Sequence, residues 1–158
     1  MKTAIIYATS HGCTDKCARN LAIELESGID LYNIETEQNF DLNNFKTIII
    51  GGSIHMGSIN KKIKKFISNN IDELCKKNMG LFICCMYEGK KAIEQFNDAF
   101  PEDLRNKALA HGFFGGEFNF EKMNFFEKAI VKKVANVEQS VSNINFTEIK
   151  EFAKKFEK

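Results

Sequence analysis

Apolar and polar positions alternate between two periods along this chain. From Lys2 to Ala8 the residues are mostly β-branched or apolar. The run is too short for a helix and is bounded by Thr9, Ser10 and Gly12, which predicts a buried strand. Beyond Asp15 the spacing changes, and Ala18, Leu21, Ala22 and Leu25 recur at helical intervals until Gly28 interrupts them. Strand, hydroxyl-rich loop and helix follow one another, the opening of a βαβ unit.

The same alternation repeats downstream. Ile29 to Ile34 predicts a second strand and the polar stretch Glu35 to Asn44 a loop. Thr47 to Ile50 is a buried-strand run ending in Gly51 and Gly52, and Ile63, Phe66, Ile67 and Ile71 mark an amphipathic helix. Met79 to Cys85 predicts the next strand. Glu88 and Gly89 then form a turn, and Ile93, Phe96 and Phe100 share a helix face that stops at Pro101. Ala108 to Phe114 predicts a fifth strand. Two helical patterns complete the chain: Phe126, Ile130, Val134 and Val137, then Ile149, Phe152, Ala153 and Phe156. Asn145 is placed to cap the last helix, with Glu148 three residues on to reach back to an unpaired N–H.

Strands alternating with helices imply an α/β fold, a doubly wound parallel sheet covered on both faces by right-handed crossovers. Five strands in the order 2-1-3-4-5 are expected, in a single domain spanning residues 1–158. Ligands in that architecture bind outside the carboxyl ends of the strands. Three loops fall there: Thr9 to Thr14, Gly51 to Ser58 and Cys85 to Gly89.

Composition narrows the function classes. The formal net charge is +1, from 22 basic and 21 acidic side chains, so no global field favours nucleic acid or an anionic membrane. The apolar runs are too short to span a bilayer, and Met1 leads directly into a strand-like run, so no leader is expected. Five cysteines, at 13, 17, 75, 84 and 85, form no CxxC pair and leave one unmatched. No zinc site or disulfide framework is expected, and a reducing, cytoplasmic setting is. Cys13 and Cys17, four residues apart, share one helix face, either as a redox pair or metal half-site or as idle buried thiols. Cys84 and Cys85 adjoin in a strand and point to opposite faces.

The first loop carries the chemistry. Thr9, Ser10, His11, Gly12, Cys13 and Thr14 set three hydroxyls around a glycine at a helix N-terminus, where unpaired N–H groups and the helix dipole attract an anion. It lacks the Gly-Lys-Ser/Thr ending of a nucleoside-triphosphate site and the GxGxxG of a dinucleotide site. With no lysine in the loop, N–H and O–H donors are left to hold the charge, which suits a single terminal phosphate such as that of FMN.

Here the sequence resembles the flavodoxin superfamily, whose phosphate loop follows the first strand with a T-x-T-G-x-T pattern. Thr9, Gly12 and Thr14 match; His11 stands at the second threonine and Cys13 where asparagine is common. Met1 to Thr14, Ile48 to Gly57, and the region from Ala110 through Phe126 to Val134 are similar to the branch that includes the menaquinone-dependent protoporphyrinogen dehydrogenases. Those enzymes carry an extra basic segment after the fourth strand, where this chain has only Met86 to Lys91 before its helix.

The resemblance implies FMN as cofactor. The phosphate would lie on residues 9–14, and Ser53, Ile54, His55, Met56 and Gly57, with Cys85, Met86, Tyr87, Glu88 and Gly89, would flank the isoalloxazine ring. The implied activity is electron transfer, with a redox protein or a small-molecule donor or acceptor as partner, the chain being a monomer or homodimer. A protoporphyrinogen dehydrogenase-like enzyme passing electrons to a quinone is the alternative, with peripheral membrane contact left open. A non-flavin binding module of the same fold is a third reading. Phe113, Phe114, Phe118, Phe120, Phe125 and Phe126 are divided between core packing, expected for at least half of them, and a surface for a porphyrin, a quinone or a protein. Lys61, Lys62, Lys64 and Lys65 form a basic cluster, read as a solvated face or a docking patch for an acidic partner.

Overall fold

The computed structural model describes residues 2–118, 120–134 and 139–157. In chain order, β1 (Lys2–Ala8) leads to α1 (Cys13–Glu24) and β2 (Ile29–Asn33), then to β3 (Phe45–His55), β4 (Ser58–Ile59) and α2 (Lys61–Leu74). There follow β5 (Asn78–Cys84), α3 (Gly89–Ala99), α4 (Glu102–Lys107) and β6 (Ala108–Phe113). The last part holds β7 (Glu117–Phe118), α5 (Phe125–Val134), β8 (Val141–Ser142) and α6 (Phe146–Lys154).

The long strands pair in parallel in the order β2-β1-β3-β5-β6. With the two-residue β4 set aside, as a hairpin partner of β3, this is the expected 2-1-3-4-5 arrangement. Parallel strands buried on both faces must present apolar residues to each side in turn, and the isoleucine run of β3 does so. Ile48 and Ile50 join one core layer with Ile63 and Ile67 of α2 and Phe96 of α3, while Ile49 joins the other. That second layer holds Ile5, Tyr7 and Phe82 from the sheet, Cys17, Ala18 and Leu21 from α1, and Ile149, Phe152 and Ala153 from α6.

Four expectations change. β3 continues through Gly51 and Gly52 to His55, because both glycines lie within the sheet ladder. A Cβ on Gly51 would fall 2.1 Å from the Phe82 ring, so the glycine leaves the space that the ring fills. In α3 the buried face is Ala92, Gln95, Phe96 and Ala99, and Ile93 is exposed. The six-residue α4 after Pro101 is too short to show a period. On α5, Phe126 and Ile130 face solvent despite their helical spacing; Val137 lies outside the described residues.

Asn145 caps α6 as expected, its side chain accepting the Glu148 N–H at 3.0 Å. Of the six phenylalanines, Phe114 is buried, Phe113 packs partly against the core, Phe118 and Phe120 are half-buried, and Phe125 and Phe126 are exposed. No described helix is long and apolar enough to cross a membrane.

Candidate functional site at the carboxyl edge of the sheet

β1 delivers the chain to Thr9, and α1 starts at Cys13, two residues before the position that the apolar spacing suggests. Gly12 makes the reversal, with φ at +89°, a region that side chains rarely adopt. The Thr9 Oγ1 accepts the Gly12 N–H at 2.9 Å and folds the loop onto itself. Asn60 and Asn145 cap α2 and α6, but no side chain caps α1. Its positive end is therefore open to an outside acceptor.

Two polar atoms point to what that acceptor is. The Thr14 hydroxyl, fully buried in the first turn of α1, has no hydrogen-bond partner among the described residues, and neither has the buried Nδ1 of His11. An unpartnered buried hydroxyl costs about 1–3 kcal/mol, a cost that an oxygen-rich ligand would relieve. Ser10 is exposed.

A distant segment completes the charge. The short helical turn Phe120–Lys122 brings the Lys122 ammonium to 2.8 Å from the point where a Cβ on Gly12 would sit. The loop contains no lysine, as its sequence shows, yet the fold supplies one from more than a hundred residues away. From α5, Glu127 meets His11, with Oε2 and Nε2 2.6 Å apart. Lys16 donates to Glu117 at 2.9 Å.

Behind the loop, the Tyr7 hydroxyl donates to Asp15 Oδ1, and the Arg19 Nε donates to Asp15 Oδ2 at 2.8 Å. Burial first, and then the bond to Asp15, push Tyr7 up from 10.0 to about 12. Burial works to raise the Asp15 carboxyl, but the Arg19 and Tyr7 bonds outweigh it and hold it below the usual carboxylate range.

The second loop is tighter than expected. Ile54 pairs with Ile59 and His55 with Ser58, so only Met56 and Gly57, with φ of +49° and +79°, form the hairpin turn. Met56 is 86% exposed at its tip. Ser53 Oγ lies 3.1 Å from His55 Nε2, and the His55 ring meets the His11 ring edge-on at 5.4 Å, bringing the first two loops together. Desolvation, and then the neighbouring His11, lower the His55 pKa, which favours the neutral imidazole.

In the third loop, Cys85 is buried and its thiol donates to the Tyr87 carbonyl at 3.4 Å. Tyr87 is half-exposed, Glu88 stands at the α3 N-cap, and Gly89 opens that helix with φ of +58°. Met86 packs on Gly116, where a Cβ would meet its sulfur at 2.7 Å. The third loop is thereby held by the chain that follows β6.

Under α1, Cys13 and Cys17 do share a buried face, and Cys84 reaches it from β5. Their three sulfurs lie within 4.8 Å of one another. Hydrogen bonding from Cys17, and then from Cys84, lowers the Cys13 thiol, while those two are raised. Cys85 stands in the opposite core layer, as its place in the strand predicts.

Comparison with known proteins bears on the family and the fold. The family described as "Flavodoxin domain" matches residues 4–145. An uncharacterised protein of Methanocaldococcus jannaschii is 32% identical over 120 residues, covering 75% of this chain and 73% of that one. Oxidised flavodoxin 1 from Bacillus cereus superposes with a TM-score of 0.60 at 18% identity, over 99% of this chain and 97% of that one. A flavoprotein in complex with FMN from Lactobacillus acidophilus gives a TM-score of 0.53 at 17% identity, over 85% of this chain and 98% of that one.

Proposed function

The chain belongs to the flavodoxin domain family, and from that premise we propose that it binds one FMN at the carboxyl edge of its sheet and serves in electron transfer. The observation that carries the reading is the uncapped, glycine-turned start of α1 with the unpartnered Thr14 hydroxyl buried in it. Bound there, FMN supplies reversible redox chemistry that protein side chains lack.

Each residue then has a stated task. Thr9 shapes the phosphate loop, Gly12 lets its backbone come close, and Thr14, the first-turn N–H groups of α1 and Lys122 hold the negative charge. His11, Ser10 and Cys13 complete the loop. Ser53 to Gly57 and Cys85 to Gly89 stand on either side of the ring, with His55 mainly neutral and Tyr87 free to present its face. The described cysteines are all free thiols, which fits a reducing cytoplasm.

One observation supports a second reading, in which a small apolar reactant meets the flavin. Phe125 and Phe126, 81% and 77% exposed, precede the Glu127 that touches His11, so an apolar surface borders the loop. A porphyrinogen and a quinone are reactants of that kind, and oxidation of protoporphyrinogen with menaquinone present tests this second reading.

The first test is a visible spectrum of the purified protein followed by FMN titration. Flavin bands, or uptake of one FMN per chain, are expected. A colourless protein that takes up no FMN would overturn the reading.

A further inference from the structure

Cys13 enters the flavin reading as a residue of the phosphate loop, but its sulfur, with those of Cys17 and Cys84, has no task there. Cys13 lies at the first residue of α1 and Cys17 one turn on, while Cys84 closes β5 on the facing strand. The ligand atoms thus converge from two elements that the core fixes independently. They are buried, at 7%, 0% and 2% exposure, and lie within 4.8 Å of one another.

That spacing is what a three-coordinate metal needs. With metal–sulfur bonds of about 2.3 Å, three sulfurs at the corners of a triangle around one ion stand about 4 Å apart. Small rotations about the cysteine side chains span the remainder. No fourth histidine, cysteine or carboxylate joins the group among the described residues, and Cys85 is committed to the other layer through its bond to Tyr87. Structural zinc and iron–sulfur clusters ask for four ligands. An all-thiolate set of three, in an apolar pocket, selects a soft monovalent ion.

We propose that Cys13, Cys17 and Cys84 form a binding site for one Cu(I) ion, held by three sulfurs under the start of α1. No electron moves on binding, and each thiol that becomes a thiolate ligand releases one proton to solvent. The positive end of α1 favours negative charge on Cys13, the ligand at the helix start. Cys13 is also the most exposed of the three, so the ion enters there by exchange from a solvent-borne thiol or chelator. The proposal rests on the cysteine geometry and not on the flavin reading, and its test needs no flavin.

The experiment is anaerobic titration of the reduced 158-residue chain with Cu(I) in competition with bicinchoninate, joined to copper X-ray absorption on the loaded protein. One Cu(I) per chain is withdrawn from the chelator, and the absorption spectrum reports three sulfur neighbours. Cys17→Ser and Cys84→Ala each weaken binding by at least about a hundredfold, beyond what loss of an outer-shell partner costs. Cys75→Ser, outside both proposed sites, leaves it unchanged.

Failure to compete with the chelator overturns the proposal. So does a two-sulfur spectrum, or loss of binding in the Cys75 variant. The spectrum of the unsubstituted protein decides the matter even if a core variant does not fold.

Discussion

Thr14→Val tests the phosphate loop where its logic is sharpest. The substitution keeps the branch and volume of the side chain and removes one oxygen, fully buried and unpartnered among the described residues. Without ligand, that hydroxyl carries a desolvation cost of about 1–3 kcal/mol, so the valine variant is more stable, by about 1 kcal/mol after repacking. With ligand, the sign reverses. A charge-assisted hydrogen bond to phosphate contributes about 1.5–3 kcal/mol, so its loss weakens FMN binding about tenfold or more. At FMN one hundred times the unsubstituted Kd, binding adds about 2.7 kcal/mol to the parent chain, and a tenfold weaker site adds only about 1.4 kcal/mol. Urea unfolding of both proteins, with and without FMN, measures all four stabilities. A valine variant that is less stable without FMN refutes the claim that the hydroxyl is orphaned. One that binds FMN as tightly as the parent refutes the claim that Thr14 holds phosphate.

Lys122→Ala removes the ammonium beside Gly12 and lowers FMN affinity about tenfold, with a shallower dependence on salt, read by fluorescence titration at two ionic strengths. Tyr7→Phe changes the alkaline limb of stability. Folding raises the Tyr7 pKa from 10.0 to about 12, so stability present below pH 10 is lost as pH rises towards 12. Over that window the parent chain loses up to about 2.7 kcal/mol that the phenylalanine variant has no means to lose; chemical unfolding at a series of pH values would show the gap closing. Gly51→Ala drives a methyl into the Phe82 ring and costs about 1–3 kcal/mol or more; Phe82→Leu in the same chain recovers part of it, seen as a non-additive double-mutant cycle.

The parts of the site carried by neighbouring residues were open to the sequence. The apolar run of β1, the helical spacing after it and the hydroxyls between them locate the Thr9 to Thr14 loop, because strand, turn and helix are adjacent in the chain. The same locality places Cys13 with Cys17 and separates Cys84 from Cys85. What fails is whatever depends on a distant partner. Gly51 and Gly52 look like the start of a loop, since a glycine pair usually is one; only their distant neighbours, the Phe82 ring at Gly51 and the Ile59 and Ile63 side chains at Gly52, explain small residues inside a continuing strand. Lys122 has no local pattern to single it out from other lysines, and its place beside Gly12 comes from the path of the chain after β6. Cys84 joins Cys13 and Cys17 only once the end of β5 is seen to reach the start of α1. The apolar residues of α5 have helical spacing, yet part of that face stays exposed, since period alone does not say whether a partner layer exists.

The electrostatics of the loop rest on how its acids are held. Three carboxylates come to the start of α1, and unscreened they would oppose an anion there. Asp15 is bound by Arg19 and Tyr7, Glu117 by Lys16, and Glu127 by His11. Each negative charge is drawn to a partner at its side, and the Glu117 carboxylate is 8% exposed, turned into its pair with Lys16. The field felt at Gly12 is then set by what lies closest: the uncapped N–H groups of α1 and the Lys122 ammonium. A chain of almost balanced charge can thus present an anion-attracting point, because the three carboxylates named here are held by partners at their sides. The same pairs tie the segment after β6 to the loop through Glu117 and Glu127, so the proposed phosphate site draws on two stretches of chain more than a hundred residues apart.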